Sequence, residues 1–184
     1  MANLNRTDIA ILALVAAEPR SGYDIRRAVQ EQLSHFWNES VGNIYPRLRR
    51  LHEHQLLTKR TIAQTDRPDR HEYAITDRGR AALSRWFEDE IQVQPPRNEL
   101  LLKLFFGRLT SPSVLVQQVA AYRAQRAATK AQLEGVRQML EAEAAGQPHL
   151  RYWLITLRAG IVAAEAAVKW ADETIVDLES DEAG

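Results

Sequence analysis

In residues 154–178 an apolar residue occupies every a and d position of consecutive heptads: Leu154, Leu157, Ile161, Ala164, Val168, Ala171, Ile175 and Leu178. A second apolar line runs beside the first through Ile155, Ala159, Val162, Ala166 and Trp170. The polar line that remains, Arg151, Arg158, Glu165, Lys169 and Asp172, is narrow. A helix apolar around most of its circumference has to be covered on several sides. Two or three helices from one short chain do not readily do that, so a second copy is expected against it.

The rest of the second half also reads as helix. "NELLLKLFFGRL" is short and very apolar, and Ser111 or Ser113 begins a long helix to about Ala145. Leu115, Val119, Tyr122, Leu133, Val136 and Leu140 keep near-heptad spacing there, interrupted by Arg126 and Thr129. The one Pro-dense break, "QVQPPRN" at residues 92–98, separates this half from the first. The division expected is residues 1–92, residues 98–178 as a helical dimerisation domain, and an acidic tail at 179–184.

The first half mixes two periodicities. A helix is predicted from about residue 7 to residue 17, capped by Thr7 or Asn5, with Ile9, Leu12, Val15 and Ala16 on one stripe. "SGYDI" opens another, with Ser21 and Asp24 spaced as a capping box and Ile25, Val29 and Leu33 facing inward. A third follows Ser40, with Ile44, Leu48 and Leu51 at i, i+4, i+7. Pro46 lies inside it, which requires either a late start or a kink. Residues 58–63 and 71–75 alternate as strands around the turn-rich "QTDRPD", and Thr76 caps a fourth helix. Helices, a hairpin and a helix in this order make a winged helix-turn-helix. The fold class is therefore mainly α, a small β-hairpin wing plus a C-terminal helical dimerisation domain.

The formal net charge is zero, but the two halves differ. Residues 1–85 hold 14 Lys/Arg against 10 Asp/Glu, and residues 86–184 hold 10 against 14. Residues 40–71 alone carry seven basic and three acidic residues, which points to a polyanion partner. No cysteine is present, the five histidines have no metal-ligand spacing, and no Gly-rich phosphate loop or nucleophile elbow occurs. Neither an enzyme nor a metal or cofactor is expected. The first residues contain neither a membrane span nor signal-peptide flanks, so a cytoplasmic location without membrane partners is expected.

With Ile44, Leu48 and Leu51 facing the core, the opposite side of the third helix is expected to present Asn43, Arg47 and Arg50, flanked by Tyr45 and Arg49. Arg pairs with guanine and Asn with adenine in the major groove, which admits an α-helix. Lys59, Arg60, Arg67 and Arg70 set cations on the hairpin, suited to phosphates or the minor groove. Tyr23 and Tyr73 are expected to anchor the core or strands. Trp37, Trp153 and Trp170 are candidates for a small-molecule pocket.

"SGYDI", "NIYPRLRRL", "LLTKR" and "YAITDRG", in this order, resemble the successive signatures of the PadR family of transcriptional regulators. The half from "LLLKLFFGRL" to Trp170 resembles the C-terminal domain of its virulence-activator-like subfamily. The resemblance implies a homodimer on an inverted-repeat operator in double-stranded DNA, acting as a repressor that a small molecule or stress signal releases. Gln55 stands where the family often has a glycine closing the recognition helix, so a different helix exit is expected. The alternatives are an activator, or a protein-interaction module whose winged helix does not read DNA.

Overall fold

The computed structural model describes residues 4–33, 36–37, 44–63, 70–91 and 97–180. Ser40, Asn43, Arg67, the hairpin turn at 64–69, most of the Pro-dense break and the end of the acidic tail lie outside the described residues. The chain forms two compact units, residues 1–93 and residues 94–184.

The first unit runs α1 (Arg6–Ala17), β1 (Arg20–Ser21), α2 (Gly22–Ala28), α3 (Ile44–Glu53), β2 (Leu57–Ile62), β3 (Arg70–Ile75) and α4 (Asp77–Glu88). A π-helical turn, Val29–Leu33, extends α2. Asn5, rather than Thr7, caps α1: its side chain accepts the Asp8 N–H at 3.0 Å, and Asp8 accepts the Asn5 N–H at 2.9 Å. Ser21 and Thr76 cap α2 and α4 as the sequence predicts.

The sheet has the order β1-β3-β2 and is antiparallel throughout. Its hairpin register pairs Leu57 with Ile75 and Ile62 with Arg70. β1 was not legible in the sequence, being two residues that pair Arg20 with Tyr73 and Ser21 with Glu72. The core gathers the predicted stripes: Leu12 and Val15 from α1, Ile25 and Val29 from the second element, and Ile44, Leu48 and Leu51 from α3. Leu56, Leu57 and Tyr73 close it from the sheet side. This is a winged helix-turn-helix.

The second unit holds α5 (Glu99–Phe105), a 3-10 turn at Gly107–Leu109, α6 (Pro112–Glu143) and α7 (Leu150–Ser180). The cross-pairs Tyr122–Trp170, Arg123–Asp172 and Lys130–Glu165 run in opposite senses, so α6 and α7 form an antiparallel hairpin. Of the heptad stripe, the d residues Leu157, Ala164 and Ala171 are buried in this hairpin, and the a residues are half-buried. The second stripe is different: Ile155 and Val162 are 56% and 54% exposed. Leu102, Phe105 and Leu109, on α5 and the 3-10 turn, are exposed as well. Arg126 does not break the seam at random, since its guanidinium lies 5.3 Å from the centroid of the Tyr122 ring.

Candidate nucleic-acid interface

α3 is fixed from three sides. Ile44, Leu48 and Leu51 are fully or almost fully buried, so its inner face is set by packing. Pro46 is the third residue of the helix as described, in the first turn, where a missing N–H costs no intrahelical bond. The C-terminal end closes as a Schellman motif: Leu56 N–H donates to Leu51 O at 2.9 Å and Gln55 N–H to His52 O at 2.9 Å. Gln55 takes φ = 59° to do this, so the exit a glycine provides is retained without one. The altered exit expected from Gln55 is thus not found. His52 adds a tie, its Nδ1–H donating to Leu57 O across 3.0 Å.

The third constraint departs from the sequence expectation. Arg47 and Arg50 do not stand clear on the outward side. Arg47 Nη1 donates to Asp8 Oδ1 at 3.2 Å, and Arg50 Nη2 donates to Asp8 Oδ2. The Asp8 side chain is wholly buried, and those of Arg47 and Arg50 are 22% and 41% exposed. A buried carboxylate needs cationic and N–H partners, and these two arginines with the Asn5 backbone N–H supply them. Heptad-like spacing on α3 cannot reveal this, because the partner is 39 residues away from Arg47 in sequence. The spacing of Asn5 and Asp8 as a capping box was the one available signal for Asp8.

What α3 does expose is Tyr45, Pro46, Arg49, His52 and Glu53. Tyr45 is 52% exposed, yet its ring is seated: a β-carbon on Gly22 would meet Tyr45 Cε1 at 2.8 Å. Glycine at the start of α2 makes room for that ring. Tyr45 and Arg49 also act on the hydroxyl of buried Tyr73. Burial raises the Tyr73 pKa, the charge on Arg49 opposes this, and Tyr45 adds to it. Tyr73 is the anchor expected of it, whereas Tyr23 is 63% exposed on α2.

On the wing, Lys59 is exposed and makes no ion pair among the described residues. Arg60 pairs with Glu72 at 3.0 Å across the hairpin, and Arg70 pairs with Asp24 at 2.6 Å. Asp24 is held below the ordinary carboxylate range, chiefly by the Ser21 hydroxyl at 2.7 Å, then by Arg70 and Arg27, with burial opposing. On the hairpin strands Arg60 and Arg70 are thus committed to carboxylates, as Arg20 of β1 is to Glu18, while Lys59 has no ion pair among the described residues.

Trp153 and Trp170 do not share one pocket within the second unit. Trp153 stacks on His149, with centroids 6.1 Å apart, and Trp170 meets Tyr122 edge-on at 5.9 Å. Seventeen helical residues separate the two on α7, about 25 Å at 1.5 Å per residue, too far for a single small ligand. Trp37 is half-buried in the other unit. The open depression along α6 and α7 is lined by Lys130, Glu134, Glu165, Lys169, Asp172 and Glu173, with no tryptophan.

The chain is similar over most of its length to proteins that are known. Residues 11–85 match the transcriptional regulator PadR-like family, and residues 96–179 match the virulence activator alpha C-terminal family. A Mycobacterium tuberculosis protein named "Probable transcriptional regulator Rv1176c" is 30% identical over 182 residues, spanning 92% of this chain and 96% of that one. The chain belongs to the PadR-like family of transcriptional regulators. The negative transcriptional regulator PadR of Bacillus subtilis is 26% identical over 180 residues, covering 94% of this chain and 97% of its own. The crystal structure of that PadR in complex with operator DNA superposes with a TM-score of 0.84 at 25% identity, over 95% of this chain and 99% of the other. This PadR-like regulator has no described helix long and apolar enough to cross a membrane.

Proposed function

We propose that this PadR-like chain is a homodimeric repressor that binds a two-fold symmetric site in double-stranded DNA, α3 entering the major groove. The observation that carries the reading is the outer line of α3. Tyr45 and Arg49 are exposed on a helix whose inner face, cap and side pairings are all fixed. An α-helix fits the major groove, and an Arg held on a rigid rod can bind guanine with both of its outer nitrogens. Lys59 stands on the wing as a phosphate contact, with Arg60 and Arg70 as paired neighbours and Asn43 and Arg67 as further members of the set. The relation to a B. subtilis regulator crystallised on operator DNA supports the same use of this fold.

The dimer follows from the second unit. Ile155, Val162 and Val176 on α7, with Leu102, Phe105 and Leu109, leave an apolar surface that the single chain does not cover. Two α3 helices reach successive major grooves when the dimer holds them about 34–36 Å apart, or a multiple of it. An effector that repacks α6 and α7 changes this separation and so releases DNA. The test is selection of duplexes from a random pool by the full-length protein, followed by gel shift of the selected sequence and of the region upstream of its own gene. The reading predicts enrichment of an inverted repeat bound by two chains. Recovery of unrelated sequences, with no preference on re-test, contradicts it.

A further inference from the structure

We propose that Asp8 is a specificity-determining positioning residue: it withholds Arg47 and Arg50 from the DNA backbone, leaving the outward line of α3 to Tyr45 and Arg49. The proposal rests on the reading of α3 as the DNA-facing helix.

Asp8 sits in the first turn of α1 with its carboxylate fully buried, and its partners Asn5, Arg47 and Arg50 all belong to the first unit. One oxygen accepts from Arg47 at 3.2 Å; the other accepts from the Asn5 backbone N–H at 2.9 Å and from Arg50. Arg47 and Arg50 thus both spend a guanidinium nitrogen on the same buried carboxylate. An exposed arginine beside DNA pairs with phosphate and releases a condensed counterion, a gain that does not depend on sequence. For Arg47 or Arg50 to turn fully to a phosphate, a buried carboxylate would give up one of its two cationic partners in a place water cannot reach. The fold therefore opposes the sequence-independent contact and leaves the charges of the other outward residues to act. The same two pairings tie α3 to the start of α1, so the angle at which Tyr45 and Arg49 are offered is fixed along with the charge.

The consequence is readable in salt dependence. Each phosphate contact contributes about 0.9 to the slope of log K against log salt on duplex DNA. Binding of the full-length protein to a mixed-sequence duplex of about 30 base pairs, followed by fluorescence anisotropy across a salt series, supplies the slope. Asp8→Asn keeps the size of the side chain and an oxygen for the Asn5 amide but removes the charge. Its slope is expected to steepen by about one to two units, with mixed-sequence affinity rising and preference for a selected site falling. In the triple variant D8N/R47Q/R50Q the slope is expected to return to the wild-type value. A purely architectural role for Asp8 would weaken binding without steepening the slope.

Two results overturn the proposal while wild-type protein still binds DNA. One is an unchanged slope in Asp8→Asn whose circular dichroism matches wild type. The other is a triple variant whose slope falls about two units below wild type, because the arginines then already touch phosphate. Should Asp8→Asn fail to fold, the wild-type and triple slopes decide alone: equality supports withholding, and that fall refutes it. A wild-type protein that binds neither mixed nor selected duplex at any salt refutes the DNA reading itself.

Discussion

A β-carbon placed on Gly79 would stand 2.3 Å from the carbonyl oxygen of Leu56. That carbonyl already accepts the Thr76 N–H at 3.1 Å, and the Thr76 hydroxyl caps the Gly79 N–H at 3.0 Å. The start of α4 is therefore seated directly on the corner where α3 passes into the wing. In an unhindered helix Gly→Ala stabilises by about 0.5–1 kcal/mol. Here overpacking against backbone reverses the sign, and Gly79→Ala is expected to lose about 1–3 kcal/mol. Urea unfolding followed by circular dichroism measures it, and an unchanged or raised midpoint would show that the corner yields.

Gln55 occupies the left-handed region at φ = 59° to close the Schellman motif of α3. That conformation costs a residue with a β-carbon about 1–2 kcal/mol, part of which glycine gives back through its freer unfolded chain. Gln55→Gly is expected to raise stability by about 0.5–1 kcal/mol. Gln55→Val, branched at the β-carbon, should lower it. Chemical unfolding of the three proteins side by side gives the order Gly, Gln, Val; any other order would show that position 55 is not strained.

Asp24 links the cap of α2 to the wing through Ser21 and Arg70. Its pKa in the folded protein lies below that of the unfolded chain, so its contribution is present above the unfolded value of about 4 and fades as pH falls through the folded one. Replacing it with Asn removes this titration. Between about pH 5 and pH 3 the stability of Asp24→Asn should fall less steeply than that of wild type. Urea midpoints at a series of pH values test this, and parallel curves would contradict it.

The periodicities that repeat over many residues were legible. Ile44, Leu48 and Leu51 turned inward as their spacing requires, and Ser21 and Thr76 capped the helices they precede. The sequence also marked α7 as a helix needing cover, and Ile155 and Val162 are exposed on it. What periodicity cannot carry is a pairing between distant positions. Arg47 and Arg50 have the spacing of an outward face, and only the approach of α1 shows that Asp8 claims them. β1 went unseen because two residues show no alternation. Seventeen residues along a helix likewise separate Trp153 from Trp170, although residue type alone groups them.

The outward apolar stripe of α7 gives a prediction about assembly. A charge placed in the covered centre of an interface, with no partner, costs enough to weaken association tenfold or more. Val162→Glu and Ile155→Glu are expected to move the protein toward monomer in analytical ultracentrifugation, with helix content retained. Dimers of unchanged affinity would locate the second chain elsewhere.

Base recognition by α3 rests on Arg49, and the affinity of Arg49→Gln for the selected inverted repeat measures it. Measured by fluorescence anisotropy at one fixed salt concentration, the variant should lose about 1–3 kcal/mol, roughly five- to 150-fold, and should cease to discriminate at one base pair in each half-site. Wild-type affinity with an unaltered preference at every position would contradict it.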